Sequence, residues 1–209
     1  MQLLSNSLTD QAPIGEKYAF AVKDADTHVA LSSNINPHLA WKDAPSQTRS
    51  FAVVCHDPDC PSAGDDVNQE DREVPADLPR VDFYHWTLFD IPAGQSEILE
   101  GEHSSEVTAH GKNGPTAPQG LRHGKNDYTG WFAGDADMEG EYFGYDGPCP
   151  PWNDSIVHRY VFTVYALDVE QLPTEGDLSG AALVGLIKAN ALDSASITVS
   201  YTLNPRLAK

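Results

Sequence analysis

The stretch Val157-His158-Arg159-Tyr160-Val161-Phe162-Thr163-Val164-Tyr165-Ala166-Leu167 decides the fold class of this chain. Side chains alternate across a strand, so His158, Tyr160, Phe162, Val164 and Ala166 share one face, and Val161, Thr163, Tyr165 and Leu167 share the other. Both sets are largely apolar or aromatic. A strand of that kind must be covered on both sides, which places it centrally in a sheet. Its polar residues then become informative: His158 and Tyr160 enter the same face as Phe162, while Arg159 points away from it.

Other β-branched and aromatic runs occur at residues 18–22, 50–55, 83–91 and 197–203, each bounded by Gly, Pro, Asp or Asn. The connections are long, irregular and rich in proline, unlike the regular helical crossovers of a parallel sheet. The pattern predicts a mainly β protein with an antiparallel sheet or sandwich. One late segment, residues 180–192, has apolar residues at Leu183, Leu186, Ile187 and Leu192 behind Ser179, which is helical spacing behind an N-cap. Within 83–89, alternation groups His85 with Phe83, Thr87 and Phe89.

The 209 residues suit one domain, read here as 1–209, because no composition shift divides them. Two stretches stand out within it. Residues 63–80 are acidic and polar and read as a solvated insertion. Residues 101–147 are rich in glycine yet contain Tyr128, Trp131, Phe132, Tyr142, Phe143 and Tyr145, which argues for a loop packed onto the body.

Thirteen basic against 31 acidic residues give a net charge of -18. Such a field repels nucleic acid and anionic membrane surfaces, so neither nucleic-acid binding nor stable membrane association is expected. No apolar run approaches the roughly 18 residues a membrane span needs, and residues 1–15 lack the basic start and apolar stretch of a secretory signal. A cytoplasmic location is expected. Cys55, Cys60 and Cys149 are odd in number and lack CxxC spacing, so they indicate neither a disulfide framework nor a zinc knuckle.

Three clusters carry the chemistry. Asp57-Pro58-Asp59-Cys60-Pro61 follows the run at 50–55 and predicts a stiff turn with Asx hydrogen bonds, Cys60-Pro61 being a candidate for a cis bond. Phe83-Tyr84-His85-Trp86 and Gly147-Pro148-Cys149-Pro150-Pro151, the latter followed by His158-Arg159-Tyr160, supply two histidines and a tyrosine. Together they could converge on one rigid pocket.

In order and spacing these clusters resemble the phosphatidylethanolamine-binding or Raf kinase inhibitor protein family. Asn126-Asp127-Tyr128 and Tyr165-Ala166-Leu167 add to the resemblance, which runs from about Ser32 to Tyr201 and, in its long insertions, looks like the bacterial branch. It implies an antiparallel β-sandwich of a large central sheet and a smaller one, with a few peripheral helices. It also implies a pocket for phosphate, another small anion or a phospholipid headgroup, with no cofactor. Carried over residue by residue, Asp57, His85, His158 and Tyr160 would line the pocket, with Pro61, Gly147 and Pro148 shaping its rim. Asp59 and Arg159 match their motifs too, and a charge-assisted pair between them would lock the two motif loops together.

The expected function is anion or headgroup binding, with a kinase or protease as a protein partner that the resemblance allows, and a homodimer compatible with it. Catalysis is not expected. The alternative is a hydrolase that uses Asp57, His85 and His158 as acid-base groups or metal ligands, but no activated Ser or Cys motif accompanies them. In an acidic protein the anion needs local donors. Tyr160 offers an O–H and each histidine one or two N–H groups, and Asp57 beside the rings would favour their charged forms. Affinity is therefore expected to rise as pH falls through the histidine range.

Overall fold

A computed structural model describes residues 1–176 and 178–207. Among them the strands are β1 (Gln2–Leu4), β2 (Ala21–Asp24), β3 (His28–Leu31), β4 (Leu39–Lys42), β5 (Ser50–Pro61), β6 (Arg80–Pro92), β7 (Glu97–Ile98), β8 (Arg122–His123), β9 (His158–Leu167) and β10 (Ala191–Tyr201). A one-turn helix α1 (Tyr128–Trp131) and the longer α2 (Gly180–Ala189) complete the set. The main sheet is antiparallel in the order β10-β9-β5-β6-β8, with a smaller sheet β1-β4-β7 and a hairpin β2-β3. The protein is mainly β, with few helices.

Strand β9 lies between β10 and β5, as its two apolar faces require. Tyr160, Phe162, Val164 and Ala166 enter a large core together with Phe51, Val53 and Trp86. The opposite face of the sheet packs Ala52, Val54, Phe89 and Leu167 against Leu183, Val184 and Ile187 of α2. Ser179 caps that helix by accepting from the Ala182 N–H at 3.4 Å. Gly180 allows it to lie close on β6, since a Cβ there would collide with Tyr84. The helix stops at Ala189, short of Leu192, because from Ala191 onward the chain pairs with β9.

Other boundaries move for similar reasons. Tyr18 belongs to a 3-10 turn, and the Phe20 N–H is taken by the Pro148 carbonyl at 3.0 Å, so β2 begins only at Ala21. The Asp57–Pro61 motif does not turn. It continues β5 as an irregular strand whose register against β6 shifts after Cys55 and again after Asp57, so that Pro58 and Asp59 occupy ladder positions without partners. Pro61 pairs with Arg80 in extended conformation, and among the described residues the cis X-Pro bond is Gly114-Pro115, not Cys60-Pro61.

A bulge also overturns the grouping of His85 with Thr87 and Phe89. Tyr84 opposes His56 and Trp86 opposes Cys55, which leaves His85 as an extra residue on β6. The alternation of β6 inverts there. Phe83 packs on the large core, and so do Trp86 and Leu88, whereas Phe89 turns to the helix side.

The glycine-rich stretch 101–147 is anchored by its aromatics: Tyr128, Tyr142 and Tyr145 are buried, and Phe20 stacks on Tyr128 at 4.5 Å between ring centroids. Within the acidic stretch, Val67 and Val74 are buried, and the Asn153 amide donates to the carbonyls of Asp66, Gln69 and Arg72. Most of that stretch is exposed, as a solvated insertion should be, but these contacts tie it to the body as a strap. No helix among the described residues is long and apolar enough to cross a membrane.

Candidate anion pocket

Three neighbouring strands carry the floor of one cavity of about 300 Å³. Asp57 comes from β5, Phe83 and His85 from β6, and His158 and Tyr160 from β9, all lining the same space with Pro61 at its edge. His85 faces inward beside Phe83, two positions before it on the strand, and the bulge returns Trp86 to the same side. Apolar walls come from Val67 on the strap, from Tyr128 and Trp131 of α1, and from Pro150 and Pro151. Trp131 stays 52% exposed, which places it at the mouth.

His158 is held on both sides. Its Nδ1 donates to Asp57 Oδ2 at 2.7 Å and its Nε2 to Asp154 Oδ2 at 2.9 Å. Burial opposes a charged ring, but the bonds to Asp154 and Asp57 outweigh it and push the pKa up to about 9. The ring is an imidazolium with both N–H groups spent. Asp154 in turn accepts two bonds from Arg80, at 2.6 and 3.1 Å, while Asp57 Oδ1 accepts the Asp59 N–H at 2.7 Å in the expected Asx bond.

His85 is in the opposite state. Its Nδ1 lies 2.8 Å from the Asp146 carbonyl, an acceptor, so Nδ1 carries the hydrogen and Nε2 of the neutral ring is left as a lone pair. Burial drives its pKa down to about 4. Edge-on contacts with Tyr128 and Tyr160, at centroid distances of 5.6 and 5.2 Å, hold the ring in place. The Tyr160 hydroxyl is buried beside Asp57; burial and that carboxylate push its pKa well up, and no acceptor among the described residues meets it in good hydrogen-bond geometry.

These states revise the expected donor set. Neither histidine changes charge between about pH 4 and pH 9, so a histidine-driven rise in affinity across the neutral range is not what this geometry produces. Of the three side-chain donors read from the sequence, Tyr160 keeps a free one.

Gly147 and Pro148 do not line the cavity; they stand behind its wall. The Gly147 N–H donates to Asn34 Oδ1 and its carbonyl accepts from the Tyr128 hydroxyl, each at 2.8 Å, and a Cβ would collide with the Tyr18 carbonyl. Two residues on, Cys149 does line the space, as does Cys60. Burial pushes both thiols up to about 12, so they are protonated and weakly nucleophilic. Arg159, on the outer face of β9, grips Asp59 through Nε and Nη2 at 2.8 and 2.7 Å and through its backbone N–H at 2.9 Å.

Asp154, Arg80 and Asp146 were not singled out by the motifs. Asp154 lies four residues before His158 but outside the strand, and no periodicity relates the two. Asp146, fully buried, accepts from Lys112, Asn34 and Asn126 at 2.7 to 2.8 Å, which fixes the backbone carbonyl that orients His85.

A family model described as phosphatidylethanolamine-binding protein matches residues 4–202. The chain belongs to the phosphatidylethanolamine-binding protein family. Among its relatives, UPF0098 protein YbhB of Escherichia coli K12 is 31% identical over 97% of this chain and 100% of its own length. UPF0098 protein YbcL of the same strain is 31% identical over 81% of this chain and 73% of its own length. The crystal structure of Escherichia coli YbcL, described as a new member of the mammalian PEBP family, superposes with a TM-score of 0.67 at 26% identity, over 96% of this chain and 97% of that one. A homolog from Chlamydia trachomatis shares the fold, with a TM-score of 0.60 at 23% identity over 96% of this chain and 95% of its own. Within this family fold, the pocket of the present member is set by the β5-β6-β9 floor and the strap.

Proposed function

We propose that this protein is a recognition module whose cavity seats a small oxyanion, inorganic phosphate or a phosphorylated headgroup, without turning it over. The observation that carries this reading is the Tyr160 hydroxyl: a buried donor without a partner is costly, and this one stands in the floor of a cavity beside Asp57 and His85. A ligand oxygen would satisfy it. The ion pairs Asp57–His158 and Asp154–Arg80 leave the floor with little net charge, so the acidity of the whole molecule is not concentrated there.

The same geometry supports binding over catalysis. His158 cannot accept or shuttle a proton without giving up a carboxylate, His85 is a weak base at neutral pH, and the two thiols are held protonated. The test is an NMR titration of the full chain with inorganic phosphate, following the His85 and Tyr160 resonances. Saturable shifts with an affinity on the order of millimolar to micromolar are expected. Absence of shifts at these residues, or steady hydrolysis of a generic phosphoester that is lost in His85→Ala, would remove the proposal.

A further inference from the structure

Resting on that reading, we infer that the cavity discriminates among oxyanions by a proton: it takes a group that still carries an O–H, such as a singly protonated phosphate monoester, and rejects anions that have none. The inference comes from counting hydrogen-bonding groups at the floor. Asp57 presents a carboxylate with two of its roughly four acceptor positions used, by His158 and by the Asp59 N–H. His85 Nε2 presents a lone pair, because its Nδ1–H is committed to the Asp146 carbonyl. His158 has no N–H left to give. Tyr160 O–H is the side-chain donor that lies beside Asp57 without a well-aligned acceptor, and so can turn to a ligand oxygen.

Two acceptors and one donor therefore meet the ligand head. A fully ionised oxyanion brings acceptors alone. It satisfies Tyr160 but sets its remaining oxygens against the Asp57 carboxylate and the His85 lone pair, within walls that are mostly aromatic and proline and screen poorly. A P–OH group removes the conflict by donating to Asp57 or to His85 Nε2 while another ligand oxygen accepts from Tyr160. The ligand keeps its proton, and no bond is made or broken. Sulfate esters and phosphodiesters lack that hydrogen at any physiological pH. The preferred class is thus the phosphate monoester with an apolar body that fills the Phe83, Tyr128 and Trp131 walls, which sets it apart from the diester of an intact diacyl phospholipid.

Phenyl phosphate and phenyl sulfate separate the alternatives, because they share a shape. At about pH 5 each carries close to one negative charge, the second phosphate ionisation lying near 6, so charge alone does not distinguish them. In NMR titrations of the full chain that follow His85 and Trp131, phenyl phosphate should bind at least about tenfold tighter than phenyl sulfate, the discrimination expected when a buried acceptor is left unpaired. Methyl phenyl phosphate, a diester, should behave like the sulfate. Equal or tighter binding of the sulfate or the diester overturns the proton rule and leaves the oxyanion seat standing. Binding by none of the three overturns the seat itself, and the rule falls with it. Asp57→Asn adds an amide donor and should bring the phosphate-to-sulfate ratio close to one. If that variant does not fold, the comparison on the unaltered chain decides by itself.

Discussion

The β9 wall of the cavity and its β6 wall each bring one histidine to the floor, and the two rings end in opposite states. On β9, His158 sits between Asp57 and Asp154 and is held charged up to about pH 9. On β6, His85 touches a backbone carbonyl and aromatic edges, and burial keeps it neutral down to about pH 4. The degree of burial is nearly the same. What differs is whether a carboxylate is within hydrogen-bond reach of the ring nitrogens, since a buried charge persists only when it is paired. The consequence is a division of labour: one histidine holds the scaffold together, and the other leaves a lone pair facing the cavity.

The strongest way to break this contrast is to strip His158 of a partner. Asp154→Ala leaves both His158 Nε2 and Arg80 short of an acceptor in a buried network, and should cost about 3–5 kcal/mol in urea denaturation. The His158 pKa, read by NMR in whatever folded fraction remains, should drop from about 9 toward the ordinary histidine range. An unchanged His158 titration would mean that Asp154 does not hold the proton.

The pH dependence of stability should show both kinds of histidine. His158 binds its proton more tightly folded than unfolded, so its contribution is complete below about pH 6.5 and is lost as pH rises toward 9, on the order of 3 kcal/mol in all. The opposite sign applies to His85, and to His103 and His123, a buried pair with Nδ1 and Nε2 3.1 Å apart whose pKa values burial pushes down to about 4 and about 3. They are neutral when folded and take protons on unfolding, so stability falls as pH drops below about 6.5, by on the order of 3 kcal/mol per ring by the time pH 4 is reached. Thermal melts from pH 4 to 9 should therefore peak near pH 6 to 7, with the acid limb the steeper. His123→Phe should flatten that limb, whereas a limb unchanged by it would assign the acid loss to other groups.

Tyr160→Phe probes the shared floor. Removing a hydroxyl that has no partner in the free protein should leave stability unchanged or slightly raised, while phosphate binding weakens roughly tenfold. A loss of stability of several kcal/mol would show that the hydroxyl is already bonded within the fold. The smallest effect belongs to the outer face of β9. Arg159→Lys gives up the two-pronged grip on Asp59, but the arginine side chain is 60% exposed, so a change of no more than about 1 kcal/mol is expected from chemical denaturation, with phosphate affinity unaffected.

Much of the site is legible in the sequence. Alternation along β9 separates His158 and Tyr160 from Arg159, and the family resemblance of the motifs brings Asp57 and His85 to the same place. The rest turns on contacts between strands. Alternation carried straight through β6 puts Thr87 and Phe89 on the face of His85, and the bulge takes them off it; proline and aspartate in Asp57–Pro61 favour a turn, and pairing with the neighbouring strand overrides them. The family resemblance puts Gly147 and Pro148 at the rim, yet they support it from behind, since only the packing on Tyr18 and Asn34 says which side of the chain meets the cavity.

The sequence by itself determined which strand is central and which face of it is polar at its start, because period-two alternation is a local property of the chain, and the resemblance of its motifs to the family implied the four side chains of the floor. Only the tertiary structure decided the protonation of the two histidines. That depends on Asp154 reaching His158 from outside the strand and on the Asp146 carbonyl meeting His85 across 61 positions of sequence. Charge in a buried site follows distances across strands, and no pattern along one strand contains them.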